Sequence, residues 1–300
     1  MKIGRQRFFD ILWLQTMVLY TMMNRQFYTA KSPLRGGWKA IVITSVLTAL
    51  AAPAATAHAE LVSHKSKFSL YYLGVNVGDM KHRISVQNDR YEIAGQAKSN
   101  AAVSIVAKIK ANFSSTGTIA ENRLVPSTHS VKVKNGKKSR RLNMGFTSNG
   151  VGEVRAKPRI KYKSGTVPLE KSHLRNVLDP VSSLLFAVKG EDVGDGRKVC
   201  NRTMPIFDGR ARINLDFSYK SRKSVKIKGF QGHVFTCSVR YRPVSGIRPH
   251  KKQIKFMQAN RDMQVTMARM GDSNLYTLFG FRVRTSKGLA SGSAYEFSSR

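Results

Sequence analysis

The residues of this chain that could do chemistry are few and scattered. Asp208 and Gly209 stand beside Arg210 and Arg212, shortly after Cys200, in the stretch CNRTMPIFDGRARINLDF. An aspartate beside two guanidinium groups and a thiol is the raw material of a catalytic constellation, or simply of a tight turn between two strands. The turn is the expected reading. The flanks of Asp208-Gly209 alternate in polarity, which puts the aspartate at the exposed tip of a hairpin with no second carboxylate near it in sequence.

Cys200 and Cys237 are the only two cysteines. Alternation puts His233, Phe235, Cys237, Val239 and Tyr241 on one face of a strand. At the rise of a strand, His233 and Cys237 lie about 13 Å apart, too far for a thiolate–imidazole dyad. In an oxidising compartment an isolated pair is most simply a disulfide, with a redox or catalytic cysteine as the competing reading. The histidines beyond residue 59, at 64, 82, 129, 173, 233 and 250, are far apart in sequence. H-E-x-x-H, paired C-x-x-C, G-x-S-x-G and Walker patterns are all missing. No catalytic residue, metal or cofactor is therefore expected, and acids are too sparse to suggest a two-carboxylate hydrolase.

The elements that position these residues read as strands. From Arg210 to Tyr219, apolar Ala211, Ile213, Leu215, Phe217 and Tyr219 alternate with polar neighbours. Period two marks a strand with one wet face. The same pattern recurs at 131–134, 223–228, 253–256 and 281–284, with cations on the outward positions. Arg210, Arg212, Lys226 and Lys228 are thus the candidates for contact with an anionic partner. Asn135-Gly136, Asp208-Gly209 and Asn149-Gly150 fit type I′ turns, and Gly74 fits a strand bent or bulged there. Two short helices are expected, over 99–110 and over 179–189, the second opening with an Asp179 cap and Pro180. Lysine-rich 155–163 reads as a mobile hairpin or loop, not as a domain boundary.

At the N-terminus, Lys31, Arg35 and Lys39 precede an apolar run over 40–52 and then Ala57-His58-Ala59. The run is shorter than the roughly 20 residues a spanning helix needs. It reads as a signal peptide cleaved between Ala59 and Glu60, leaving a periplasmic domain of residues 60–300 with no stable membrane span. A further apolar segment over 8–23 is interrupted by Asp10 and Gln15, and Met22 or Met23 is the alternative start. No cysteine near the cleavage site suggests a lipoprotein. The whole chain carries a formal charge of +35; removing the seven cations and one acid of residues 1–59 leaves +29. Such an excess attracts anions. For an exported protein these are lipid, lipopolysaccharide or wall polymer, and nucleic acid is not the expected partner.

Several landmarks, in order, resemble an exported bacterial family of unknown function, the domain numbered 3108. They are Gly74-x-x-x-Gly78, Leu124-Val-Pro126, Asp179-Pro-Val-Ser-Ser-Leu-Leu185, the Cys200 to Arg210 segment, Cys237, and Pro243-Val-Ser-Gly246. The resemblance covers roughly residues 66–285 and implies an exported, β-rich domain with a disulfide. In architecture alone the chain is similar to envelope proteins with half-barrel sheets, including lipoprotein carriers. The expected fold is mainly β: a single antiparallel, strongly curved sheet, half-barrel or open barrel, with two short helices. The expected function is non-enzymatic, envelope maintenance or the binding of a lipid, acylated or protein ligand. The alternative is a hydrolase or transferase acting on an anionic envelope polymer.

Overall fold

Period-two alternation runs through nearly the whole of the computed structural model, which describes residues 61–104 and 108–300. The expected leader, with Ala57, Ala59 and Glu60, lies outside the described residues. The strands are β1 (Val62–Tyr72), β2 (Val75–Gln87), β3 (Arg90–Ser99), β4 (Ile109–Ala120), β5 (Arg123–Asn135), β6 (Lys138–Thr147), β7 (Gly150–Lys157), β8 (Leu185–Ala187), β9 (Arg202–Phe207), β10 (Arg212–Ile227), β11 (Phe230–Ser245), β12 (Met263–Arg269), β13 (Leu275–Thr285) and β14 (Gly288–Ser299). Short helices α1 (Ala101–Ser104), α2 (Gly196–Cys200) and α3 (Lys252–Ala259) interrupt them.

All the strands join one antiparallel sheet in the order β7-β6-β5-β4-β3-β2-β1-β14-β13-β12-β11-β10-β9, with β8 added on β13. Alternation decides what is buried. On β4, Ile109, Ala111, Phe113 and Ser115 face inward, and on β10 Ile213, Leu215 and Phe217 do the same. Their neighbours Asn112, Ser114, Arg212 and Asn214 remain in partial or full contact with solvent. At Leu275–Thr277 the sheet forks: β13 pairs with β8 there, and with β14 only from Gly280 onward. β8 is buried on both faces. Phe186 packs into the apolar cluster built on β9–β13, whereas Leu185 and Ala187 pack into the one built on β2–β6. The segment 177–188 is thus wedged between two core clusters.

The strongly curved half-barrel or open barrel expected from the sequence is not formed. The sheet is an open ladder whose end strands, β7 and β9, do not pair. Closure would need the free edge of β9, and that edge is already taken: Leu178 N–H donates to Pro205 O and Phe207 N–H donates to Leu178 O.

Both expected helices are also corrected. Ser99 ends β3 and Ile109 begins β4, so only Ala101–Ser104 is helical among the described residues of 99–110. In 179–189 Asp179 is not the N-cap of a helix: its carboxylate accepts from Val181 and Ser182 N–H, the 3-10 turn Ser182–Leu184 starts from Val181 with no side-chain cap, and the chain then extends into β8. The continuous apolar run 184–188 lacks a polar face, so its period could not separate helix from fully buried strand. Residues 253–256, expected as strand, lie in α3.

The turns shift as well. Positive φ at both central residues occurs at Leu73-Gly74, Asn88-Asp89 and Glu121-Asn122, so Gly74 closes a hairpin instead of bending a strand. Asn135 is paired with Lys138, leaving Gly136-Lys137 as the turn. Asp208-Gly209 belongs to a longer loop, 208–211, in which Asp208 Oδ1 accepts from the N–H groups of Arg210 (2.9 Å) and Ala211 (2.7 Å). Gly209 is buried there against Leu142 of β6, and Asp208 is half-buried.

Candidate functional site

Alternate hairpins of an antiparallel sheet fall at opposite ends. Here the connections at 73–74, 100–108, 136–137, 208–211 and 286–287 share one end, and those at 88–89, 121–122, 148–149, 228–229 and 270–274 share the other. Inside the first end lies a cavity of about 220 Å³. Its walls are the inward residues of β1–β4, such as Leu70, Met80, Ala111 and Phe113, and of β9–β14, such as Ile213, Leu215, Met267 and Leu278. Pro180, Val181, Ser183, Leu184 and Phe186 close it from the wedge segment. Among the described residues, no Asp, Glu, Lys, Arg or His lines it; its polar contacts come from Ser99, Ser183, Ser291, Gln264 and the two tyrosines Tyr71 and Tyr72.

A buried polar network fixes the wall made by 180–184. Asp179 Oδ1 accepts from Val181 N–H (2.8 Å), Ser182 N–H (3.0 Å) and Ser115 Oγ (2.6 Å), and Oδ2 accepts from Ser182 Oγ. His129 Nδ1 lies 2.9 Å from both Asp179 Oδ1 and Ser115 Oγ. Tyr91 Oη bonds Ser182 Oγ at 2.8 Å. Burial pushes the Asp179 carboxyl up, but attraction to the His129 ring and the hydrogen bonds from His129, Ser115 and Ser182 together outweigh it and hold the carboxyl below the usual range. Burial, then the Asp179 charge, pushes the Tyr91 phenol up against the smaller opposing effect of its bond to Ser182.

Ser115, His129 and Asp179 are the residue types of a hydrolytic triad, but their geometry does not serve one. In a triad the carboxylate holds one ring nitrogen and the serine the other. Here both sit at Nδ1, Ser115 donates directly to Asp179, and His129 Nε2 is buried without a partner among the described residues. All three are at most 2% exposed, and none lines the cavity. The network is a cap with cross-strand supports.

Beyond it, toward the opposite end, His64 and His82 lie with ring centroids 5.8 Å apart between Phe68 and Phe297. Burial, with repulsion from His82, lowers His64 to about 3, and burial lowers His82 to about 4. Among the described residues no three His, Cys, Asp or Glu side chains converge as metal ligands.

The residues singled out in the sequence lie elsewhere. Cys200 and Cys237 form a disulfide with Cα atoms 5.4 Å apart. It ties α2 to β11 across the intervening strand β10, so it staples a helix to the sheet and not the β9–β10 hairpin to itself. Arg210 sits over the Tyr162 ring at 5.9 Å, and its carbonyl accepts from Tyr162 Oη. Half-buried Arg212 donates to Ile213 O and Asn214 Oδ1. Lys228 and Lys67 share Glu296 at 3.3 and 3.0 Å, and Lys226 is exposed. Asn135 and Gly136 stand at a turn of the cavity end. None of these lines the cavity. The buried histidines were missed, although a signal existed: His64 is in phase with Phe68, His82 with Ile84, and His129 with Val131.

A family model described as "Protein of unknown function (DUF3108)" matches residues 67–293. Comparison with curated proteins gives no match. Among solved structures, the beta-barrel-like protein of domain of unknown function DUF1849 from Brucella abortus is similar at 9% identity and a TM-score of 0.47, over 80% of this chain and 98% of that one.

Proposed function

The chain belongs to the DUF3108 family, and we propose that it is a non-enzymatic binder of an apolar chain, an acyl group above all, held in the cavity between β1–β4 and β9–β14. The observation that carries this is the apolar lining, in which no charged side chain appears among the described residues. An engineered apolar cavity of about 150 Å³ stays dry and takes up a benzene ring. A cavity of about 220 Å³ is larger, yet below the roughly 300 Å³ where pockets for drug-sized ligands begin. That size suits one aliphatic chain, each buried methylene of which contributes about 0.8 kcal/mol. The disulfide supports a site of action outside the cytoplasm, since such bonds persist where the environment oxidises, and the leader expected over residues 1–59 points the same way.

The test is displacement of a fluorescent fatty acid. Ala111 is buried and lines the cavity, so Ala111→Phe fills the space and should abolish binding while the far-ultraviolet spectrum is unchanged. Full retention of binding by a folded Ala111→Phe protein would refute the reading.

A further inference from the structure

The ends of the sheet differ in ways the cavity alone does not explain. The cavity lies at the end that carries the 73–74 turn, and Tyr71, Tyr72 and Val77 on either side of that turn line it. At its tip Leu73 and Val75 are 61% and 63% exposed, the most exposed large apolar side chains among the described residues. The tip is held in place, not loose: Leu73 N–H donates to Leu289 O at 2.8 Å, and Tyr72 Oη donates to Lys287 O at 2.8 Å. Exposed lysines surround it in the other connections of the same end, at 108, 137, 251, 252 and 287. Gly136 N–H donates to Lys108 O, so two of these connections touch. Asp262, an acid of this end, is paired with Arg284 at 2.9 Å. The opposite end presents both signs in its turns and loops: Glu121 pairs with Arg123, Glu191 with Lys189 and Asp192 with Lys198.

We propose that the 73–74 end docks on an anionic lipid bilayer, with Leu73 and Val75 entering the interface and the lysines facing the headgroups. Apolar tips inside a ring of cations favour such a surface, through buried apolar area and attraction to anionic lipid. The apolar tip and its lysines lie at one end, so attraction also sets the orientation. The cavity end then faces the bilayer, which places the acyl-chain site beside the lipid. The docking rests on the reading of the cavity as an acyl-chain site for its purpose, but not for its existence, so the two fail separately.

The experiment uses the protein as purified from cells, with vesicles of phosphatidylcholine alone or mixed with phosphatidylglycerol. Leu73→Trp places a reporter at the tip, and Val75→Trp repeats it should the first variant misfold. Val125→Trp reports on an exposed position near the other end. A blue shift of the tip reporter with anionic vesicles, absent with neutral ones and absent for Val125→Trp, is the expected result. Lys108→Gln and Lys137→Gln should each lower vesicle partitioning about fivefold, and 1 M salt should abolish it. No shift at the tip, or an equal shift at Val125→Trp, overturns the docking. A tip shift without fatty-acid displacement in solution upholds the docking and sinks the acyl-chain reading.

Discussion

The substitution His82→Leu isolates the cost of a histidine buried with no partner. His82 faces inward on β2 at 3% exposure, neither of its ring nitrogens has a hydrogen bond among the described residues, and it lies 5.3 Å from the Phe68 ring. Burial lowers its pKa to about 4, against about 6.5 unfolded. Because the unfolded chain binds the proton more tightly, stability is complete above about pH 7 and declines as pH falls through 6.5 toward 4. At pH 5 the difference is about 1.5 pH units, or roughly 2 kcal/mol. His64, lowered to about 3 for the same reason and by its neighbour His82, adds a similar amount at pH 5, so the wild type should lose roughly 4 kcal/mol between pH 8 and pH 5 from this pair. His82→Leu should be neutral or stabilising at pH 7.5, since it removes two buried unsatisfied atoms, and should recover about 2 kcal/mol of the acid loss. Urea unfolding midpoints at pH 7.5 and pH 5 measure both. Identical pH slopes in the wild type and His82→Leu would refute the reasoning.

Cys200→Ser and Cys237→Ser should each cost about 4 kcal/mol for a loop of this length, and the double substitution should add almost nothing, since either one breaks the same bond; thermal melts of the three proteins decide it. Asp208→Asn should be nearly silent because the amide oxygen still accepts from Arg210 and Ala211. Gly209→Val should be costly, since φ is +88° and a Cβ there would meet Leu142 at 2.7 Å. Both are read by chemical denaturation. Asp179→Ala leaves Ser115, Ser182 and His129 without their acceptor and should cost 3 kcal/mol or more. It should also weaken fatty-acid binding, because the 180–184 wall loses its cap; unchanged affinity in a folded Asp179→Ala protein would show that the network does not support the cavity.

Local chemistry determined a good deal of this protein before any fold was known. Alternation in 131–134, 210–219, 223–228 and 281–284 pointed to strands and their wet faces, because a strand's side-chain period is two whatever it pairs with, although β10 begins only at Arg212 and ends at Ile227. Asp179 was expected to cap a helix; its carboxylate does accept backbone N–H groups at 181 and 182, but no α-helix follows. Tertiary structure decided what that segment becomes: with apolar clusters on both sides, 185–187 gains more as a doubly buried strand on β13 than as a helix with one face in water. The same holds for curvature and the site. Whether a sheet bends far enough to close depends on what occupies its edges, and the segment at Leu178 occupies the edge of β9 from a distant part of the chain. The Ser115–His129–Asp179 network brings together residues up to 64 positions apart, and the cavity draws its lining from both halves of the sheet. No local spacing records such a meeting, because it is set by strand order across the whole sheet.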